Sequence, residues 1–338
     1  MNLPGGPNHR PTDRSIPADR AMTPAIQRLR SLDLQRSVIY FGFLGIFLFF
    51  AVTLHDDGFL TSRNLTNIVL QTAPATVMAI GLVFALSAGE IDLSFGSIVA
   101  VSALSAAVAM QSYPMFVGVL AGLGAGIAIG CMNGVLVAYL RLPSFLVTLA
   151  TMGLFAGIAR SMTDLRSIPV VHDGFTGFFG SGKLFSIPSL VLWTVAAVIV
   201  GHVVYRHTRF GAHVLAVGDN AHAAQVSGIK VSRVRVHVLT LCGATAGLAG
   251  LLYAGRLQAA KYTLGESDLM TVIAAVIIGG TALNGGRGSV VGALLGSLLM
   301  GMLNNGLILM GLRVSDQMIV RGLIILVAVA VSLRDGNR

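Results

Sequence analysis

The chain is 338 residues long, 54% hydrophobic and only 11% charged, with a formal net charge of +9 and a mean hydropathy of +0.80. An ordinary soluble domain carries about 25% charged residues, so this composition excludes a water-soluble globular chain and points to repeated membrane crossings. The basic excess does not indicate nucleic acid, because the Lys and Arg residues fall mostly in loops between apolar segments, where orientation in a bilayer accounts for them.

In chain order, residues 1–36 hold Pro4, Pro7, Pro11, Pro17 and Pro24 with Arg10, Arg14, Arg20, Arg28, Arg30 and Arg36. No apolar core follows a short basic start, so this stretch reads as a disordered cytoplasmic tail and not as a cleavable signal. Apolar runs able to cross hydrocarbon, roughly 20 residues each, follow near 37–54, 66–88, 95–112, 115–139, 144–162, 188–205, 236–256, 268–283, 289–310 and 316–333. They predict an all-α polytopic membrane protein with about ten transmembrane helices over residues 37–333 and a short cytoplasmic end at 334–338. The third and eighth runs are short or interrupted by glycine, which suits broken or re-entrant segments. Cys131 and Cys242 lie inside apolar runs and read as small buried hydrophobes.

With the N-terminus inside, the inner segments carry the tail arginines and Arg141, Arg206, Arg209, Lys230, Arg233, Arg235, Arg287, Arg334 and Arg338. The outer segments and their flanks carry fewer: Arg63, Arg160, Arg166, Lys183, Arg256, Lys261, Arg313 and Arg321. This bias places both termini in the cytoplasm. Residues 163–187 then form an outward loop, and residues 206–235 an inward one.

Two acidic motifs interrupt apolar sequence, "GEIDL" at 89–93 and "GESDL" at 265–269. "NGVLVAYLRL" at 133–142 and "NGLILMGLRV" at 305–314 also align without a gap, matching Asn133 with Asn305 and Arg141 with Arg313. Two matches in the same order at nearly the same separation predict a duplication, with halves near 66–162 and 236–333. Asn133 and Asn305 lie five runs apart, so the halves have opposite orientation, an arrangement that places a permeation path at their interface. "GEIDL" then falls toward the inside and "GESDL" toward the outside. Glu90, Asp92, Ser94, Asn133, Phe145, Glu266, Asp268, Asn304 and Asn305 are candidates for lining that path or for stabilising helix breaks. The carboxylates either meet solute or cap helix N-termini. The amides either line a polar path or tie one helix to its neighbour.

Within the inward loop, Asp219 and Asn220 are N-cap residues. "AHAAQVSG" then predicts two helical turns that Gly228 ends. Ala221, Ala224 and Val226 give this segment a small, weakly apolar face, fit either for docking on a partner or for a solvated connector.

"GEIDLSFGS" (89–97), "PSFLVTLATM" (143–152), "FGAHVLAVGDNAHAAQVSGI" (210–229) and "IIGGTALNGGRGSVVGALLGSLLMGMLNNGL" (277–307) together resemble the permeases of bacterial ABC importers for sugars, the ribose type nearest. The likeness runs from about Phe59 to Leu333. It implies a permease subunit in the bacterial inner membrane that pairs with a second copy or a paralogue, binds a cytoplasmic ABC ATPase and receives sugar from a periplasmic binding protein. It also implies that Asp219, Asn220, Ala221, His222, Ala223, Ala224, Gln225, Val226, Ser227 and Gly228 form the segment that couples to the ATPase. Glu90 departs from the family's common "GGIDLS".

No G-x-x-x-x-G-K-[ST] phosphate loop occurs, and "NGGRGS" at 284–289 reads as a tight inner turn. The chain is therefore expected to hydrolyse no ATP alone. His55, His172, His202, His207, His213, His222 and His237 lack metal-ligand spacing, so no metal, cofactor or embedded enzyme is expected. Other readings are an ABC permease for another small polar solute, such as a branched-chain amino acid, and an ion-coupled secondary transporter, which inverted repeats fit equally well.

Overall fold

A computed structural model describes residues 41–336, and the expected tail at 1–36 lies outside the described residues. The described chain is helical apart from two-residue strands. In order it comprises α1 (Phe41–Thr53), α2 (Ser62–Ser87), α3 (Phe95–Met110), α4 (Met115–Tyr139), α5 (Ser144–Ser161), α6 (Asp173–Thr176), α7 (Ser189–His207), α8 (Arg209–Asp219), α9 (Ala221–Val226), α10 (Val231–Leu257), α11 (Asp268–Ile278), α12 (Val290–Leu309) and α13 (Val314–Gly336). Each apolar run read from the sequence coincides with a helix. Among the described residues, α2, α4, α5, α7, α10 and α12 are long and apolar enough to cross a membrane, while α1, α3 and α11 are shorter apolar helices.

α2 and α10 form the centre. Their apolar windows are 83% and 72% buried, against 28% for each of α4, α5 and α7, which leave their outer faces to lipid. Lipid tails give apolar helices little reason to associate, so close packing must hold them. α4 supplies it with Gly118, Gly122, Gly126, Gly130 and Gly134, one residue every four along a single ridge. A Cβ on Gly126 would lie 2.5 Å from the Gly243 carbonyl oxygen, and one on Gly130 would lie 2.5 Å from that of Leu239, so the backbones of α4 and α10 touch directly.

The packing exchanges partners in a regular way. α10 packs on α2, α3 and α4, whereas α2 packs on α10, α11 and α12. α3 leans on α4 and α5, as α11 leans on α12 and α13. A second apolar cluster, around Phe50, Phe59, Ile68, Met300 and Leu303, seats α1 against α2 and α12.

Two segments read as loops are built. Residues 163–187 hold α6, a wide turn at Gly177–Ser181 and a small hairpin pairing Lys183–Leu184 with Ile187–Pro188. Phe175 and Phe179 are buried, Phe179 stacks on Trp193 at 5.3 Å, and Trp193 Nε1 donates to the Phe178 carbonyl at 3.0 Å. Residues 209–219 form α8, whose Gly211, Val214 and Val217 recur on one face and are buried.

Candidate functional site: two helix breaks and an exposed capped helix

The first break joins α2 to α3 through residues 88–94. Gly89, at φ +78°, turns the chain, because glycine alone adopts this conformation without strain. The chain then climbs beside α10. Glu90 Oε1 meets Arg235 Nε at 2.6 Å, Asp92 lies against Cys242, and Val99 and Ala103 pack on Gly250. Arg235 and Gly250 lie 15 residues apart on α10, about 22 Å of helix, so α3 begins deep inside the bundle. α5 fastens the break on both sides of Ile91, whose N–H donates to Ser144 Oγ at 3.0 Å and whose carbonyl accepts from Thr148 Oγ1 at 3.0 Å.

Asp92 is fully buried and closes the end of α3. Its Oδ1 accepts the Ser94 backbone N–H at 2.8 Å and the Ser94 hydroxyl at 2.6 Å, while Asn133 Nδ2 donates to that same hydroxyl oxygen at 2.8 Å. Three sequence candidates, Asp92, Ser94 and Asn133, thus form one buried network. Cys242 is not simply a buried hydrophobe, since it borders this carboxylate.

The second break joins α10 to α11 through residues 258–267. Ala259–Ala260 pairs antiparallel with Ile168–Pro169, and the chain then folds inward to Gly265, at φ +82°. The two acidic motifs pair with arginines at different helix ends, Glu90 with Arg235 near the start of α10 and Glu266 with Arg160 near the end of α5. Gly96, in the first turn of α3, meets the glycine of the second motif: a Cβ on Gly96 would sit 2.7 Å from the Gly265 carbonyl oxygen, and one on Gly265 would sit 2.5 Å from that of Gly96. The first break is irregular backbone over residues 90–93, and the second is a run of turns over 262–267 that follows the Ala259–Ala260 strand. The N-terminal ends of α3 and α11 meet there.

The second carboxylates are wetter. Glu266 Oε1 accepts from Arg160 Nη2 at 2.6 Å, and both side chains are exposed. Asp268 Oδ2 accepts from the Tyr253 hydroxyl at 2.7 Å, with Arg256 and Arg321 close by. These groups line a cavity of about 220 Å3 bounded by α2, α10, α11, α12 and α13. Asn304 lines it too and accepts from Arg321 Nη2. Asn305 turns away and makes a reciprocal amide pair with Asn64 of α2, both bonds 2.9 Å. Phe145, half-exposed, borders a separate cavity beside Glu90 and Arg235.

At the end of the bundle where α2 stops, α9 stands out. The Asn220 side chain accepts the Ala223 N–H at 2.9 Å and starts the helix, whereas Asp219 ends α8 and is not a cap for α9. Gly228, at φ +87°, ends it as expected. Ala224 differs from expectation: it is buried against the body of the bundle, so the exposed face consists of His222, Ala223, Gln225 and Val226. α8 roots this knob. A Cβ on Gly218 would lie 1.9 Å from the Ser87 carbonyl oxygen, which also accepts the Gly286 N–H at 3.0 Å, while Ser87 Oγ and Tyr205 Oη are 2.7 Å apart. The inner turn "NGGRGS", α8 and the end of α2 therefore meet three residues before Glu90.

Sequence reasoning missed Arg235, Arg160, Tyr253 and Arg321, the partners of the carboxylates. Arg235 lies just before the run read at 236–256 and Arg321 inside the run read at 316–333, and charge counting treated both only as flanks. A guanidinium inside an apolar helix demands a partner, and that was the available signal.

Residues 64–329 match the family described as branched-chain amino acid transport system / permease component. The chain is 39% identical over 284 residues to the ribose import permease protein RbsC of Escherichia coli strain K12, covering 82% of this chain and 87% of that one. It is 39% identical to the protein of the same name from Bacillus subtilis strain 168, covering 85% and 90%, and 31% identical to the xylose transport system permease protein XylH of Haemophilus influenzae, covering 89% and 97%. No solved structure matches. The resemblance to import permeases drawn from four motifs is thereby borne out across most of the sequence, and the chain belongs to this family of transport permeases.

Proposed function

We propose that this chain is the membrane-spanning subunit of a binding-protein-dependent ABC importer for a ribose- or xylose-like sugar. The relatives named above support a sugar over a branched-chain amino acid, the solute in the family's description. The chain is a permease and not an enzyme, and with no phosphate loop in its sequence the ATP is hydrolysed by a separate cytoplasmic subunit. A binding protein delivers sugar at the opposite face, and a second permease copy or paralogue completes the path.

The observation that carries this reading is α9. It is a capped helix whose outer face is small and exposed, while Ala224 and α8 fasten it to the body. A partner that moves α9 moves Gly218, and through it the Ser87 end of α2 beside the first break. ATP binding in the partner thereby biases an inward/outward equilibrium through packed backbone. Ten crossings with both termini cytoplasmic fit this reading, and the partner exchange around α2 and α10 supports halves of inverted topology.

The test is uptake of D-ribose, D-xylose and L-leucine by cells carrying the complete importer. Sugar uptake should vanish when the ATPase is inactivated, and L-leucine should not enter. Ala223→Glu with Val226→Glu, both on the exposed face, should abolish uptake and co-purification of the ATPase while membrane level stays normal. Uptake that survives ATPase loss but collapses with a protonophore would establish the secondary transporter instead. Ser181→Cys should label from outside intact cells and Ser232→Cys should not. Labelling of both would break the topology.

A further inference from the structure

A chamber of about 630 Å3 opens between the end of α4 and the start of α10. Arg141 reaches it from just beyond α4, and Lys230, Arg233 and Arg235 from the start of α10. Among the described residues no Asp or Glu lines it, and of these four cations only Arg235 has an ion pair, to Glu90, which borders a separate cavity. A bias of positive charge toward one face accounts for basic residues near a membrane surface. It does not account for their convergence on one cavity from two distant stretches of chain. Like charges gathered on one wall repel, so the chamber favours an anion. Arg141 carries a further cost. Its φ is +57°, a conformation that glycine takes without strain and that other residues seldom adopt. The other flank of the chamber is apolar. Tyr139 lines it and is exposed, and Val135 and Ile127 continue an exposed strip along α4, the face left to lipid. Tyrosine beside basic residues is the pattern of a membrane interface.

We propose that this chamber holds the phosphate of an anionic membrane phospholipid, with the acyl chains laid along α4; it rests on the topology proposed above, which puts this end of the molecule at the inner leaflet. A phosphate accepts several charge-assisted hydrogen bonds at once, and a guanidinium meets it through two parallel ones. Basic pockets between membrane helices on the cytoplasmic side suit anionic headgroups for this reason. About twenty waters at roughly 30 Å3 each would fill the chamber, so a phosphate with its glycerol fits with water beside it. A soluble phosphate, or an acidic side chain of the ATPase, would answer the cations but not the apolar flank. Gln225 and Gly228 also line the chamber, so a bound headgroup braces the segment that ends α9.

The full-length chain, purified in detergent, is titrated with palmitoyl-oleoyl phosphatidylglycerol or phosphatidylcholine and read by native mass spectrometry. Phosphatidylglycerol should bind at least fivefold more tightly. Arg141→Gln with Arg233→Gln, both exposed, should weaken phosphatidylglycerol at least fivefold and leave phosphatidylcholine unchanged. Arg206→Gln with Arg209→Gln removes the same charge outside the chamber and should change neither. Lys230→Glu replaces the first pair if that variant does not insert. Equal affinity for the two lipids, or parental phosphatidylglycerol binding by an inserted chamber variant, overturns the proposal. Glycerol 1-phosphate, a headgroup without chains, should not displace the lipid; displacement would assign the cations to soluble phosphate and overturn it. The complete importer should retain its phosphatidylglycerol, and release on assembly with the ATPase would assign the cations to that partner and overturn it too. Orientation is read separately with Ser232→Cys in intact cells. Labelling from outside defeats the topology, whereas an inner Ser232→Cys with unselective lipid binding defeats the chamber alone.

Discussion

The two helix breaks carry the same motif, glycine and glutamate followed by aspartate two residues on, yet they sit in different surroundings. In the first, Asp92 is sealed among Ser94, Asn133 and Cys242, and Glu90 is 6% exposed against Arg235. In the second, Asp268 borders a cavity and Glu266 is 38% exposed against Arg160. Both glutamates hold their arginines at 2.6 Å. The distance is therefore uninformative, and burial decides what each pair is worth. The first break is sealed by side chains, and the second borders a cavity.

Substitutions separate the two. Asp92→Ala leaves the Ser94 N–H and hydroxyl without their acceptor in a dry interior, at about 1–3 kcal/mol for each orphaned group. Folded protein in the membrane should fall severalfold. Asp268→Ala removes an acceptor that cavity water replaces, so the protein should accumulate normally. Equal accumulation of the two variants, judged by fluorescence-detected size exclusion, would erase the distinction.

Next comes the buried ion pair. Arg235→Met strands the Glu90 carboxylate and should cost about 3–5 kcal/mol, because breaking a buried pair from one side leaves an uncompensated charge. Glu90→Gln should cost clearly less, since Arg235 is one-third exposed and keeps water. The double variant should recover much of the loss, and thermal melts in detergent measure all three. Arg235 gives the Glu90 charge its partner.

Gly96→Ala tests the contact between the breaks. Its methyl would lie 2.7 Å from the Gly265 carbonyl oxygen, so the two segments must part, at about 1–3 kcal/mol for overpacking. A melt unchanged by this substitution would mean that the breaks do not meet. The smallest effect belongs to Glu266→Gln, about 0–1 kcal/mol, as exposed pairs contribute little. Raised salt should leave its melt close to that of the parent.

The helices were legible because about ten apolar runs, most of them near bilayer length, leave few alternatives. The cap at Asn220 and the stop at Gly228 were legible because both are local chemistry. Helix α8 was not, since Gly211, Val214 and Val217 give a narrow apolar face that reads as loop between charged neighbours. The depth of the breaks was hidden for another reason. Hydropathy marks where apolar runs stop but not whether the backbone beyond turns away or climbs back inside, and only partners such as Cys242 and Gly250 on α10 reveal that. Ala224 shows the same limit at one residue: the helix was foreseen, but which alanine faces the body depends on where α8 lays it.

Thiol reactivity in the resting importer compares the breaks most directly. Ser94→Cys, in the sealed network, and Thr271→Cys, in the open cavity, are each exposed to the same small polar methanethiosulfonate. Thr271→Cys should react readily and Ser94→Cys at least a hundredfold more slowly, as access through local opening would require. Reaction of Ser94→Cys at the rate of Thr271→Cys would show water at both breaks and contradict the division between a sealed break and one that borders a cavity.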